Sequence, residues 1–491
     1  MHTLRFKNRE SKLFFCISLA ALLPYLLYGF RYFPVLDDYI QYWGYPARGD
    51  LSFVYLHIGT LATRPLASLL DPAFWGKFWP VMGLALILIT AMHCFSAFLF
   101  YKTMKRFSLP LSPFFLLLYL LLPLGMEGRY WISAASRLVT GLFFASVSLW
   151  FLSRFLQEKN SAGNFILFAL FQLISCGFYE SVAIFSVTAA VLLFFFAYYQ
   201  KRNKNFWFVP LVSVINIGLL FSYYKLFSGL GMQGSRASAS LSLSALPGKG
   251  VAVIRQVAEA FSLLYESTIK GCFAGVSLLF SKGIWGVLLL LLTFVLCFFL
   301  SRLAKNETTV NPITCIGFEV AGIILFFAPL LPNMMAEEVW ITNRSLFVSI
   351  IGIALILEPF WSLFHRKHIR QTLIFIVAFI FITANFNEYD VYKRTNALDA
   401  KLLDQIVSEL EDDVICGEKN LVVYLPEEVV VKQNAFYKDH VKSVFDSDWA
   451  LTGALRERLK TLTLKSATPV LPGQTVNLEN AQIIILESVK E

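Results

Sequence analysis

Apolar runs of about 20 residues, the length that carries a helix across a hydrocarbon core, recur along this chain and restrict its fold more than any other feature. We read about 11 of them, at roughly 13–30, 80–101, 110–126, 132–152, 164–179, 182–200, 206–227, 279–300, 313–332, 345–364 and 371–387. Charged residues make up 15% of the 491 positions and mean hydropathy is +0.62, where a soluble domain carries about 25% charge. The expected class is therefore mainly α, a polytopic membrane protein. The first run follows a basic segment but no small-residue cleavage site, so it reads as a retained helix.

The basic residues sort by side. Arg5, Lys7, Arg9 and Lys12 precede the first run; Lys102, Lys105 and Arg106 follow the second; Lys201, Arg202 and Lys204 follow the sixth; Arg366, Lys367 and Arg370 follow the tenth. By the positive-inside rule this side is cytoplasmic, which puts the amino terminus inside and the carboxyl tail outside. A net charge of +9 spread over helix ends forms no patch, which excludes a nucleic-acid partner. Membrane lipids are the expected surroundings. Five of the seven cysteines lie in apolar runs; Cys272 and Cys416 are the loop and tail exceptions, and no metal-ligand spacing appears.

The acids gather on the opposite, outer side. Asp37 and Asp38 are adjacent in PVLDDYIQY, just past the first run, and an ionised pair beside a bilayer is expensive unless it has work to do. The first outer loop spans about 31–79 and contains an interfacial stretch with Arg64, placed to pair with Asp37, Asp38 or a phosphate. The turn GMEGRYWISAASR holds Glu127 and Arg129, with Arg137 inside the fourth run, in line with Tyr130 and Ser133. Glu180 occupies a tight turn. A second long outer loop, about 228–277, opens Gly/Ser-rich around Arg236, then turns helix-like; Arg344 lies in a later outer loop. From about residue 388 the composition becomes soluble. Residues 388–491 read as a small extracytoplasmic α/β domain with strands in NLVVYL, KTLTLKSAT and QIIILESV and a helix in DSDWALTGALRERL, after a membrane domain of residues 1–387.

Taken together, LDDYIQYWGY after the first run, TRPLASLL before the second, short outer turns with Glu and a soluble tail resemble the GT-C superfamily of polytopic glycosyltransferases, most of all the bacterial Gtr-type glucosyltransferases. The resemblance implies a multi-pass protein of the bacterial cytoplasmic membrane. It implies a hexosyltransferase that moves a sugar from a polyprenyl-phosphate donor to a surface glycan, teichoic acid or lipid on the outer face. A polyprenyl-phosphate sugar synthase and a flippase are the partners it implies. The acceptor hydroxyl needs a base, and Asp37 and Asp38 are the catalytic candidates, one as base and the other orienting the acceptor or a divalent metal. The leaving phosphate needs guanidinium donors, for which Arg64, Arg129, Arg137, Arg236 and Arg344 are candidates; Glu127 and Glu180 are candidates for sugar hydroxyls. The alternative class is a flippase or transporter of lipid-linked saccharides, which the intramembrane Arg137 would also suit. No internal repeat accompanies it.

Overall fold

Helices follow from composition here. Buried from water, a backbone can satisfy its N–H and C=O groups only within its own helix. The computed structural model describes residues 8–62, 64–109, 111–157, 162–200, 207–229, 246–303, 312–335, 339–364, 366–426, 443–471, 473–474, 476 and 479–487. It is mainly helical, with a small C-terminal sheet. Among the described residues, nine helical runs are long and apolar enough to cross a membrane, as in a multi-pass membrane protein, and Ala162–Cys176 and Ile350–Ser362 are shorter apolar helices. Gly283–Leu303 shows how lipid is met: Ile284, Leu288, Leu292, Val295 and Phe299 are exposed along its outer side.

Three local expectations differ from what is observed. The run expected at 110–126 is broken after the helix Pro113–Leu121, because Pro123 drives Leu122 into an extended conformation (φ −55°, ψ 123°), and a short 3-10 turn, Pro123–Gly125, follows. The helix Met126–Tyr130 follows, and after Trp131 the chain restarts as the helix Ile132–Gln157. In the expected loop 228–277, residues 246–281 instead form one apolar helical run with a π turn at Glu266–Lys270. The composition change near 388 falls inside a single helix, Lys367–Glu409, which enters a second core.

The helix ends partition as the charges do. Arg9 donates to the Leu303 carbonyl, Glu10 pairs with Lys102 and Lys105, and Arg106 lies over the Trp150 ring at 5.0 Å, all at one end of the bundle. At that same end buried Glu358 accepts from the Ser112 N–H (2.6 Å) and hydroxyl (2.9 Å), tying the cap of Pro113–Leu121 to Ile350–Ser362. Asp37, Asp38, Asp71 and Glu180 lie with the interhelical loop 29–64 at the other end.

At the acidic end the C-terminal segment folds on the loop. Strands β1 (Asn420–Tyr424), β2 (Ala467–Val470) and β3 (Ala481–Ile485) form a parallel sheet in the order β2-β1-β3. Its apolar side packs with the helix Asp448–Leu459 and with Leu398, Leu402 and Ile406 of the long helix. Tyr39 of the interhelical loop belongs to the same core, and Asn396 donates to Tyr39 Oη (3.1 Å) and to the Pro34 carbonyl (2.8 Å). The sheet segment is thus anchored to the loop that carries the acid pair.

Candidate functional site

The site begins with a bend. Gly29 (φ 63°) and Phe30 (φ 59°) end the first helical stretch in the left-handed region and turn the chain back over the bundle. Asp37 and Asp38 follow and lead into a single π-helical turn, Tyr39–Gly44. Consecutive side chains diverge, and the two acids meet different surroundings.

Asp38 is fully buried. Its carboxylate accepts from Tyr32 Oη (2.6 Å), the Val35 N–H (3.0 Å) and the Ser133 N–H (3.2 Å). Tyr32 Oη in turn accepts from the Ile132 N–H at 2.9 Å. Ile132 and Ser133 open the 26-residue helix Ile132–Gln157, so Asp38 and Tyr32 satisfy N–H groups that a helix leaves orphaned, and the anion sits where the helix dipole favours it. Burial nevertheless pushes the Asp38 carboxyl up to about 7, against the pull of those hydrogen bonds and with the Asp37 charge adding to the rise. Gln41 and Tyr42 extend the brace: Ser133 Oγ donates to Gln41 (2.8 Å), and Tyr42 Oη lies 3.0 Å from Ser136 Oγ.

Asp37 is half-buried and turns toward the C-terminal segment, where Trp449 Nε1 donates to it at 2.7 Å. It also lies within electrostatic reach of Arg137 and of the half-buried Tyr45. Arg137 donates through Nε (3.1 Å) and Nη2 (2.8 Å) to Asp71, a buried carboxylate that also accepts from Ser136 Oγ at 2.9 Å. Arg64 lies close enough to Arg137 for their charges to act on each other. Its own partner is Glu180, with Nε 3.2 Å from both carboxylate oxygens, and its guanidinium lies 4.0 Å from the centre of the Tyr179 ring. Two guanidiniums therefore share one end of the bundle with three carboxylates. A half-buried carboxylate can take a proton there, and paired guanidiniums can hold an anionic oxygen.

The predicted residues thus divide. Arg64 pairs with Glu180, Arg137 lies within electrostatic reach of both Arg64 and Asp37, and Asp38 is buried next to Asp37. Arg64 pairs with Glu180 rather than with the acid pair, because the helix Pro65–Ala73 that it precedes packs beside the turn before Glu180: Leu66 N–H bonds the Gly177 carbonyl at 3.0 Å. Arg137 faces Asp71 rather than Tyr130 and Ser133, whose polar atoms are taken by Phe33 N–H and Gln41. Glu127 and Arg129 are buried in the bundle rather than in an open turn. There Arg129 donates to the Leu120 carbonyl and lies within electrostatic reach of Tyr25 and Glu388. Arg344 lies over the Trp131 ring at 4.9 Å. Arg236 lies outside the described residues. Among those described, no group of three His, Cys, Asp or Glu side chains is arranged to hold a metal.

Sequence reasoning passed over Asp71, Ser136, Tyr45 and Trp449. One signal was available: Asp71 is the single acid between residues 51 and 126, and an intramembrane Arg137 calls for such a partner. Trp449 carried no signal, since it lies 412 residues from Asp37. No family model matches this chain, and no curated protein matches it.

Proposed function

We propose that this protein is a membrane glycosyltransferase that moves a hexose from a polyprenyl-phosphate donor to an acceptor hydroxyl at the acidic end of the bundle. The observation that carries the reading is the half-buried Asp37 carboxylate within electrostatic reach of Arg137, whose own charge acts on that of Arg64. Transfer of this kind needs one base for the acceptor and positive charge for the departing phosphate, and no free nucleotide. In this reading Asp37 takes the acceptor proton as the new C1–O bond forms. The bond from C1 to the phosphate oxygen breaks, and Arg137 and Arg64 hold the departing phosphate. Asp38, saturated with donors, braces the loop. Glu180 sets Arg64 and can share a sugar hydroxyl. About eleven segments cross the membrane in this reading, counting the short apolar helices. The basic helix ends are cytoplasmic, and the C-terminal α/β unit lies outside the cell in a bacterial envelope, where a surface glycan, teichoic acid or lipid is the acceptor.

The test is mass spectrometry of surface glycans from cells with the protein, without it, and with Asp37→Asn at matched protein level. Loss of the same hexose mass in the deletion and in Asp37→Asn is expected. A hexose that disappears in the deletion but persists in Asp37→Asn removes the base role and favours transport of a lipid-linked saccharide.

A further inference from the structure

The helix Asp448–Leu459 meets the interhelical loop along one stripe. Trp449, Gly453, Arg456 and Lys460 recur at the three- and four-residue spacing that puts side chains on one helix face. Trp449 Nε1 bonds Asp37 at 2.7 Å. A Cβ on Gly453 would collide with the Ile40 side chain, and the Lys460 ammonium lies 5.9 Å from the centre of the Trp43 ring. The loop continues through the short helix Tyr45–Ala47 to Arg48, whose N–H closes that turn on the Tyr45 carbonyl. Both sides of the seam thus lead away from the acid pair toward a group of cations.

The fold leaves these cations largely unneutralised. Arg48 is exposed, and its guanidinium lies 5.4 Å from the centre of the Phe53 ring. The nearby Asp50 is spent on the N–H groups of Ser52 (3.0 Å) and Phe53 (3.1 Å). Arg456 is half-buried and gives Nε (2.9 Å) and Nη2 (2.6 Å) to the Leu464 carbonyl, leaving Nη1 unbonded among the described residues. Lys460 pairs with Glu457 at 2.5 Å and stays exposed. Arg48 and Arg456 come close enough for their charges to act on each other, and no carboxylate among the described residues is bonded to either. Like charges that converge from distant parts of a chain cost stability, and they concentrate a field that an anion relieves.

We propose that this seam binds the acceptor as an anionic polymer, with Arg48, Arg456 and Lys460 holding phosphate or carboxylate groups of a glycan chain while a hydroxyl of a neighbouring unit lies at Asp37. This rests on the transferase reading above and names its acceptor class. The helical rise from Trp449 to Arg456 is about 10 Å, so the charge that is read belongs to an adjoining unit rather than to the sugar that reacts. Guanidinium suits this role because its planar N–H groups match the oxygens of phosphate and carboxylate in pairs. The donor phosphate is left to Arg137 and Arg64, whose partners Asp71 and Glu180 belong to other elements.

The experiment compares wild type, Arg48→Gln and Arg48→Lys in the full chain, reconstituted in vesicles of neutral lipid with the cells' own lipid-linked donor. Glycan extracted from deletion cells is the acceptor probe, split by anion exchange into neutral and anionic fractions and titrated. Wild type is expected to glycosylate the anionic fraction with a KM that rises with salt. Arg48→Gln should raise that KM about fivefold to tenfold, with kcat nearly unchanged and a weaker salt dependence, while Arg48→Lys stays within about threefold of wild type, as the worth of one exposed ionic hydrogen bond implies. Transfer to the neutral fraction alone, or equal KM values for Arg48→Gln and Arg48→Lys, overturns the proposal. So does a defect that appears only when anionic lipid is added to the vesicles, which assigns the cations to headgroups. A deletion that leaves the surface glycans unchanged overturns the transferase reading itself, and this inference with it.

Discussion

Asp37 and Asp38 are neighbours in sequence and opposites in environment. Asp38 titrates in a window set by its burial. Its folded value of about 7 lies above the roughly 3.9 of an unfolded aspartate, so between those values the folded protein keeps a proton that the unfolded chain releases. Stability therefore falls as pH rises through that window, by at most about 1.4 kcal/mol per pH unit. Thermal melts of the solubilised protein are expected to be lower at pH 7.5 than at pH 5. Asp38→Asn should reduce that difference, to which the buried Asp399 carboxyl also contributes, while lowering both melts, because an amide N–H₂ then faces donors. An unchanged pH difference in the variant would remove the assignment. Arg137 makes a second residue-scale prediction. Arg137→Ala strands the buried Asp71 charge, which costs on the order of 3–5 kcal/mol. Size-exclusion profiles should show a loss of folded protein in Arg137→Ala and its partial recovery in Arg137→Met with Asp71→Asn. A double variant no better than the single would show that the pair is not coupled.

Between elements, small residues decide how closely helices meet, as lipid supplies no hydrophobic drive between them. A Cβ on Gly275 would fall on the Thr383 carbonyl oxygen, which fixes the helix Gly271–Ser281 against Lys367–Glu409. Thr383 Oγ1 lies 3.1 Å from Cys272 Sγ at the same crossing. Gly317, on the helix Pro312–Phe327, has open space where its Cβ would stand. Gly275→Ala is expected to reduce the yield of monodisperse protein severalfold, while Gly317→Ala leaves it unchanged or slightly raised, since Ala is the better helix former. Equal yields would mean that the crossing tolerates a shift. Much at this scale was legible beforehand. The segments of NLVVYL and QIIILESV are strands, and DSDWALTGALRERL is a helix, because their apolar spacing matches one period or the other. KTLTLKSAT was legible only in part, with the strand starting at Ala467. In 246–281 the helix was legible, but not that the run is long and apolar enough to cross a membrane, because a Gly/Ser-rich lead-in and scattered charges mask its apolar stripe.

For the whole molecule the open question is which end faces out. Cys416 is the one exposed cysteine among those described and lies just before β1. If the C-terminal unit is extracytoplasmic, a membrane-impermeant maleimide should label it on intact cells and fail on Cys416→Ser. Labelling only after lysis would reverse the topology and put the acid pair inside. Either result reports on the whole bundle, because the C-terminal core includes Tyr39 and cannot face away from loop 29–64.

Composition and charge order by themselves determined that the chain is a helical membrane protein with basic clusters at the helix ends of one side, because the bilayer penalises exposed backbone and charge wherever they fall in sequence. They also marked Asp37, Asp38, Arg64, Arg137 and Glu180. Only the tertiary structure decided what each of these meets. Asp38 is buried under Tyr32 and the start of a helix that begins almost 100 residues later, while Asp37 is left to meet Trp449 from the far end of the chain. Roles of this kind depend on which groups converge in space, and a carboxylate's partners, unlike its cost in lipid, are not written in its neighbours.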